Sequence, residues 1–447
     1  MIGSRWVTAA RFGTRQGLAV ALAGLTLVAG AADLRGQTPA EPTVTLEQAV
    51  QLALQHHPAM AQRLGAVRTS ESSERTSWGA FLPSLSLSSG ASLNSTQRFD
   101  SNTQTTVSGS RDSYSAGLSA SMDVFTGGRR GAQLRQARAE TDAAEAAVVE
   151  QRFGVILQTK ETYYAVLRAE ETVRVSTARI ERAEQGLRAA EQRLAVGSAT
   201  RSDSLRAQLE LTQARQAVLE AENQRRSAAW SLGALIGVQG PVGAEPVALR
   251  EPGPLDMTDE QLQQIALQAS PTVASAEAGE TAAQAALRVS RAQYFPSVRA
   301  SGGYDWSNQV ASFGGGDTSW STRLSLSYPL FNGFNREDAN ERSEVALSVS
   351  RMQLADAQRQ ALASLQQSID ALRVAEQLIE LNEEAVRVAA EDLRVQETRY
   401  ALGSSTILEQ ITSQVALVEA ELALIGARYD YQLALAQLEA LVGRELR

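Results

Sequence analysis

The chain repeats itself once over almost its full length, and this narrows the choice of fold more than any single motif does. His57-Pro58 is answered by Ser270-Pro271, and Phe81-Leu82-Pro83-Ser84-Leu85 by Tyr294-Phe295-Pro296-Ser297-Val298, both 213 positions later. Further along the offset is 206. Phe125-Thr126-Gly127 matches Phe331-Asn332-Gly333, Arg193-Leu194-Ala195-Val196-Gly197-Ser198 matches Arg399-Tyr400-Ala401-Leu402-Gly403-Ser404, and Leu235-Ile236-Gly237 matches Leu441-Val442-Gly443. The change of offset falls between Pro83 and Phe125, where a hairpin loop tolerates a difference in length. The repeats span residues 43–238 and 256–446, and the Pro- and Gly-rich residues 239–255 between them read as a linker.

Each half opens with a helical segment, Thr45 to Gly79 or Thr258 to Gln293, which Pro83 or Pro296 stops. Strands follow, expected at 84–94 and 113–125, then at 297–306 and 319–328. Leu85, Leu87, Tyr114, Leu118 and Met122 alternate with polar residues, as do Val298, Tyr304, Trp306, Trp320 and Leu326, so each strand has an apolar face and a serine-rich one. Long helices come next, 128–195 and 334–401, reaching on the order of 100 Å, more than a globular core requires. Val173, Ile180, Leu187 and Leu194, and in the second half Ile379, Val386, Leu393 and Tyr400, recur every seven residues and predict coiled-coil packing. Turns at Gly197 and Gly403 send return helices, 200–237 and 406–443, back along them. The fold class expected is mainly α with a small β part, internally duplicated.

At the N-terminus, Arg5, Arg11 and Arg15 precede an apolar run, Leu18 to Ala32, too short to span a bilayer and ending in small residues. Residues 1–32 therefore read as a secretory signal peptide. Its removal takes the formal charge from −8 to −11, which disfavours nucleic acid as a partner. The absence of cysteine excludes disulfides, thiolate metal sites and a lipidated cysteine anchor. No other apolar run is long enough to span, so any passage through a membrane must use a closed β-barrel. Four strands fall short of the roughly eight in the smallest transmembrane barrels, so one chain cannot close one, but two or three copies in a ring can. Leu118, Trp306, Trp320 and Leu326 are expected to face lipid, the aromatics forming an interfacial girdle and the serines a wet lumen.

The doubled helix-strand-strand-helix-helix order, Arg193-Leu194-x-x-Gly197, Arg399-Tyr400-x-x-Gly403 and the Phe-x-Gly starts of the long helices together resemble the TolC family, over essentially the whole mature chain. The resemblance implies a homotrimer with a twelve-stranded barrel in the outer membrane and a twelve-helix tunnel of α-helical hairpins across the periplasm. It implies a passive duct for efflux or type I secretion, docked to a periplasmic adaptor protein and an inner-membrane pump of RND, ABC or MFS type. It places the interhelical turns at the periplasmic tip, with Gly197, Ser198, Gly403 and Ser404 as the adaptor-docking surface. In the family, residues matching Ser202 and Asp203 pair with those matching Tyr400 and Ser405 to hold the tip shut, and Glu409 maps onto an acidic constriction ring. Ser405 stands where the type member has a basic residue, and Thr412 occupies a second acidic position of that ring. A local reading competes: Thr200-x-x-Asp203 and Thr406-x-x-Glu409 both have capping-box spacing.

No catalytic constellation is legible, and no cofactor or metal is expected. His56 and His57, the only histidines, stand without cysteine or a carboxylate cluster and read as a surface pair at a helix end. Gly127-Gly128-Arg129-Arg130 lacks the Lys-Ser/Thr of a phosphate loop and better suits a strand-to-helix turn. A periplasmic adaptor or a coiled-coil scaffold is the competing class, but an adaptor carries one hairpin nested in β domains, not two full copies with alternating strands.

Overall fold

The computed structural model describes residues 41–100, 104–253, 257–312, 314–444 and 446; the expected signal peptide lies outside the described residues. The first half runs β1 (Thr43–Val44), α1 (Leu46–His56), α2 (Pro58–Gly79), β2 (Ser84–Asp100), β3 (Thr105–Phe125), α3 (Arg129–Ala195) and α4 (Arg201–Ile236). After β4 (Gly243–Ala244), the second half runs α5 (Asp259–Ala269), α6 (Pro271–Arg291), β5 (Ser297–Asn308), β6 (Asp317–Ser327), α7 (Asn335–Ala401) and α8 (Ile407–Val442).

The single opening helix expected of each half is in fact two. His57, with ψ at 123°, and Ser270, with ψ at 128°, are driven out of the helical region by the proline that follows. Pro58 and Pro271 then start new helices at a position where a missing N–H costs nothing. His57 caps α2, its Nδ1 accepting from the Ala59 N–H at 3.2 Å, and the His56 side chain packs against Gly237 so closely that a Cβ there would come within 2.7 Å.

α3 and α7 are each 67 residues, about 100 Å, while the return helices α4 and α8 are 36 residues. A return helix covers only the distal half of its long partner. The proximal half is covered by α2 on α3 and by α6 on both α3 and α7. Ala183, Ala190, Ala207 and Ala214 line the α3–α4 seam, and such small residues permit close helix approach.

Where the elements change over, a buried belt joins the halves. The stretch expected to be a linker is packed into it: Val242 and Ala244 are buried, and β4 pairs with β1 in parallel. The Tyr163 hydroxyl donates to the backbone carbonyls of Val44 (3.1 Å) and Glu245 (2.7 Å). Glu439, 6% exposed, accepts from Lys160 of α3 at 2.6 Å, from Arg250 at 3.4 Å and from the Leu446 N–H at 3.3 Å.

At the opposite end from the hairpin turns, the four long strands form one antiparallel sheet in the order β2-β3-β5-β6. β2 and β3 continue to Asp100↔Thr105, well past the expected ends at 94 and 113. Arg130 and Arg336, repeat mates, lock strand to helix alike. Arg130 donates to the carbonyls of Ala80 and Val124 and lies 5.0 Å over the Phe81 ring, and Arg336 donates to the Pro329 carbonyl and lies 5.1 Å over Tyr294. The Gly127–Arg130 segment is thus the strand-to-helix turn, with both glycines at positive φ.

Candidate functional site: the hairpin tips and the sheet wall

Both interhelical turns follow one rule. The N–H of Ser198 donates to the Arg193 carbonyl at 2.8 Å and that of Ser404 to the Arg399 carbonyl at 2.9 Å, closing the same terminal loop around Gly197 (φ 77°) and Gly403 (φ 81°). The return helices then start in capping boxes. Thr200 and Asp203 exchange backbone-to-side-chain hydrogen bonds at 2.9 and 3.3 Å, and Thr406 and Glu409 do so at 3.0 and 3.3 Å. Hydrogen bonds from the Thr200 backbone and hydroxyl hold the Asp203 carboxyl below its ordinary value. The Ser405 hydroxyl, then the Thr406 N–H, do the same for Glu409.

The two turns meet through Tyr400. Its ring is buried, 5% exposed, in a cluster with Ala190, Ala207 and Ile407, and burial pushes its phenol pKa up. Its hydroxyl has no hydrogen-bond partner among the described residues. Asp203 and Ser405, which the family resemblance pairs across the tip, bond here within their own hairpins: Asp203 to Thr200, and Ser405 to Gln396 (3.1 Å) and Glu409 (2.5 Å). Ser202 is exposed at the start of α4. The cross-hairpin bond belongs to Arg193, whose Nη1 donates to the Tyr400 carbonyl while its guanidinium lies 4.6 Å above the Tyr400 ring. Its arginine-glycine spacing is visible in sequence, but a partner that is a backbone carbonyl leaves no mark there.

The sheet carries two chemically distinct faces across all four strands. One rung reads Leu87, Leu118, Tyr304 and Trp320, and Val298 faces Leu326 farther along the same side. Leu118, Trp320 and Leu326 are exposed in the single chain. Trp306 shares the face but is half-covered by the β5–β6 turn, its indole N–H donating to the Gly315 carbonyl at 3.3 Å. The opposite face has the rungs Ser86–Ser119–Gly303–Ser321 and Ser84–Ser121–Ser301–Arg323. No helix among the described residues is long and apolar enough to cross a membrane, and no group of three His, Asp or Glu among them is placed to hold a metal ion.

Comparison with known proteins agrees with this architecture. Protein CyaE of Bordetella pertussis is 31% identical over 343 residues, covering 72% of this chain and 69% of that protein. The pyoverdine export outer membrane protein OpmQ of Pseudomonas aeruginosa is 28% identical over 426 residues, covering 92% and 86%. Among solved structures, the Campylobacter jejuni CmeC outer membrane channel superposes with a TM-score of 0.79 over 96% of this chain and 94% of its own, at 16% identity, a likeness of fold. The sequence profile described as outer membrane efflux protein matches residues 49–238 and 262–444, one segment for each repeat. The chain belongs to the outer membrane efflux protein family.

Proposed function

We propose that three copies of this chain close into one outer-membrane efflux or secretion channel, with a barrel of twelve strands across the membrane and a helical tunnel through the periplasm. A periplasmic adaptor and an inner-membrane pump deliver the cargo and the energy, and the channel itself conducts passively. The pump is of RND, ABC or MFS type. Gly197, Ser198, Gly403 and Ser404 are the turns the adaptor meets, and Asp203, Tyr400 and Glu409 stand at the end that closes.

One observation supports assembly of copies into a ring, for which the family resemblance implies three. Repeat symmetry makes α3 against α8 equivalent to α7 against α4, yet among the described residues the first pair packs extensively within the chain and the second does not. α3 turns Arg168 and Arg182 toward Asp430 and Glu421 of α8. The repeat mates of those arginines on α7 are Val374 and Val388, and with Leu381 and Val395 they make an exposed heptad stripe. On α4, Leu205, Leu209 and Leu219 are likewise exposed. A neighbouring copy supplies α4 to α7, and the same rotation brings the open edge of β6 to the open edge of β2. Native mass spectrometry of detergent-extracted protein should give three chains, fractionating with the outer membrane. A stable folded monomer or dimer, or a protein released without detergent, overturns the proposal.

A further inference from the structure

We propose that Arg193 is the latch holding the two helical hairpins of one chain together at their tips, with the carbonyl and ring face of Tyr400 as its receptor. This rests on the tip being the closing end of the channel.

Three features of the second hairpin converge on this one guanidinium. Nη1 reaches the Tyr400 carbonyl, which also accepts from the Gly403 N–H at 3.0 Å, in the last turn of α7, where the helix dipole favours a cation. The guanidinium carbon stacks over the Tyr400 ring at 4.6 Å. Nη2 lies against Gly403, where an added Cβ would come within 3.2 Å, so a side chain at that turn would crowd the arginine. A planar fork that donates along its edge and stacks on its face fits this receptor, and a lysine ammonium does not reproduce both contacts.

The internal duplication supplies a control. Arg399 is the repeat mate of Arg193, on an equally long helix before an equivalent glycine turn, but it folds onto its own hairpin, donating to the Ser404 carbonyl at 3.2 Å. The mate of Tyr400 is Leu194, which offers no ring. The two repeats therefore use this arginine differently, and the difference is a contact between hairpins. Two other polar side chains near the junction, Asp203 and Ser405, are engaged elsewhere: Asp203 in the Thr200 box and Ser405 with Gln396 and Glu409. Among the described residues the buried Tyr400 hydroxyl finds no hydrogen-bond partner, and what the tyrosine offers Arg193 is its ring and its backbone carbonyl.

The test compares single-channel conductance of detergent-extracted trimers in planar bilayers for wild type, Arg193→Ala, Arg193→Lys, Arg399→Ala and Tyr400→Leu, with native mass spectrometry and thermal melts confirming assembly. Arg193→Ala should raise resting conductance several-fold, and Arg193→Lys should give an intermediate value. Tyr400→Leu, which removes the ring and keeps the carbonyl, should also open partway, while Arg399→Ala should stay near wild type. Wild-type conductance in Arg193→Ala overturns the latch, and wild-type conductance in Tyr400→Leu overturns the ring face as part of its receptor. Opening in Arg399→Ala equal to that in Arg193→Ala overturns the latch too, because the effect is then one of turn stability. A wild-type trimer that forms no pore at all overturns the channel reading itself, whichever way the variants rank.

Discussion

Glu409 is a helix cap and, by the family resemblance, the residue that maps onto an acidic constriction ring, and the two roles respond differently to the same chemistry. As a cap it accepts from Ser405 and Thr406, which holds its pKa down, as the Thr200 bonds do for Asp203. The sign follows from the lowered folded-state value: the contribution to stability is present above the ordinary carboxylate range, about 3.9 to 4.3, and is lost as pH falls through the depressed values. Mildly acidic conditions should therefore leave both turns intact, with amide exchange protection at Asp203 and Glu409 lost only at lower pH. Glu409→Gln keeps a capping side chain without the charge, so its melting temperature should change little, whereas cation preference in bilayers should fall if three carboxylates ring the pore. Unchanged reversal potentials would leave Glu409 as a cap alone. The cap was legible in sequence because Thr-x-x-Glu is a local spacing. The Arg193 contact was not, because its distance along the chain is 207 residues and its acceptor is main chain.

Among the elements, the strands carry the firmest asymmetry. Leu326 faces Val298 on the apolar side, whereas its neighbour Ser325 faces Arg299 on the serine side. Placing Arg at 326 sets a charge against hydrocarbon at a cost of about 2 to 4 kcal/mol near the midplane, while Arg at 325 enters water. Leu326→Arg should therefore reduce membrane assembly, measured as trimer recovered from the outer-membrane fraction, and Ser325→Arg should not. Equal losses would reverse or erase the assignment of faces. Alternation made these faces readable, and where alternation stops the reading stops too. Between Thr105 and Ser113, β3 pairs with β2 alone, in a Ser- and Thr-rich stretch whose hydrogen-bond ladder needs no apolar face. The breaks at Pro58 and Pro271 were ambiguous for a different reason, since proline is tolerated in the first turn of a helix as readily as it ends one. The belt segment around Val242 looked like a linker because its Pro and Gly content says nothing about what packs on it.

For the whole molecule, the duplication lets one chain specify two kinds of seam. The seam between α3 and α8 is written partly in ion pairs, Arg182–Glu421 at 3.2 Å and Arg168–Asp430 at 3.3 Å, whereas the equivalent positions of α7 carry Val388 and Val374. In the proposed ring, charge matching within the chain and an apolar stripe between copies make the two pairings non-interchangeable, because an α7 stripe set on α8 of another copy would leave Glu421 facing a valine. The seams should fail separately. Val388→Glu puts a carboxylate into the apolar stripe and should shift detergent-extracted protein from trimer toward monomer in native mass spectrometry, with helical circular dichroism retained. Glu421→Ala removes a partly exposed ion pair, worth about 1 kcal/mol or less, and should leave the trimer intact. Raised salt should widen the difference, since screening weakens the ion pairs and not the burial of Val374, Leu381, Val388 and Val395. A Val388→Glu trimer as robust as wild type would move the contact between copies away from this face of α7, and with it the rotation that closes the ring.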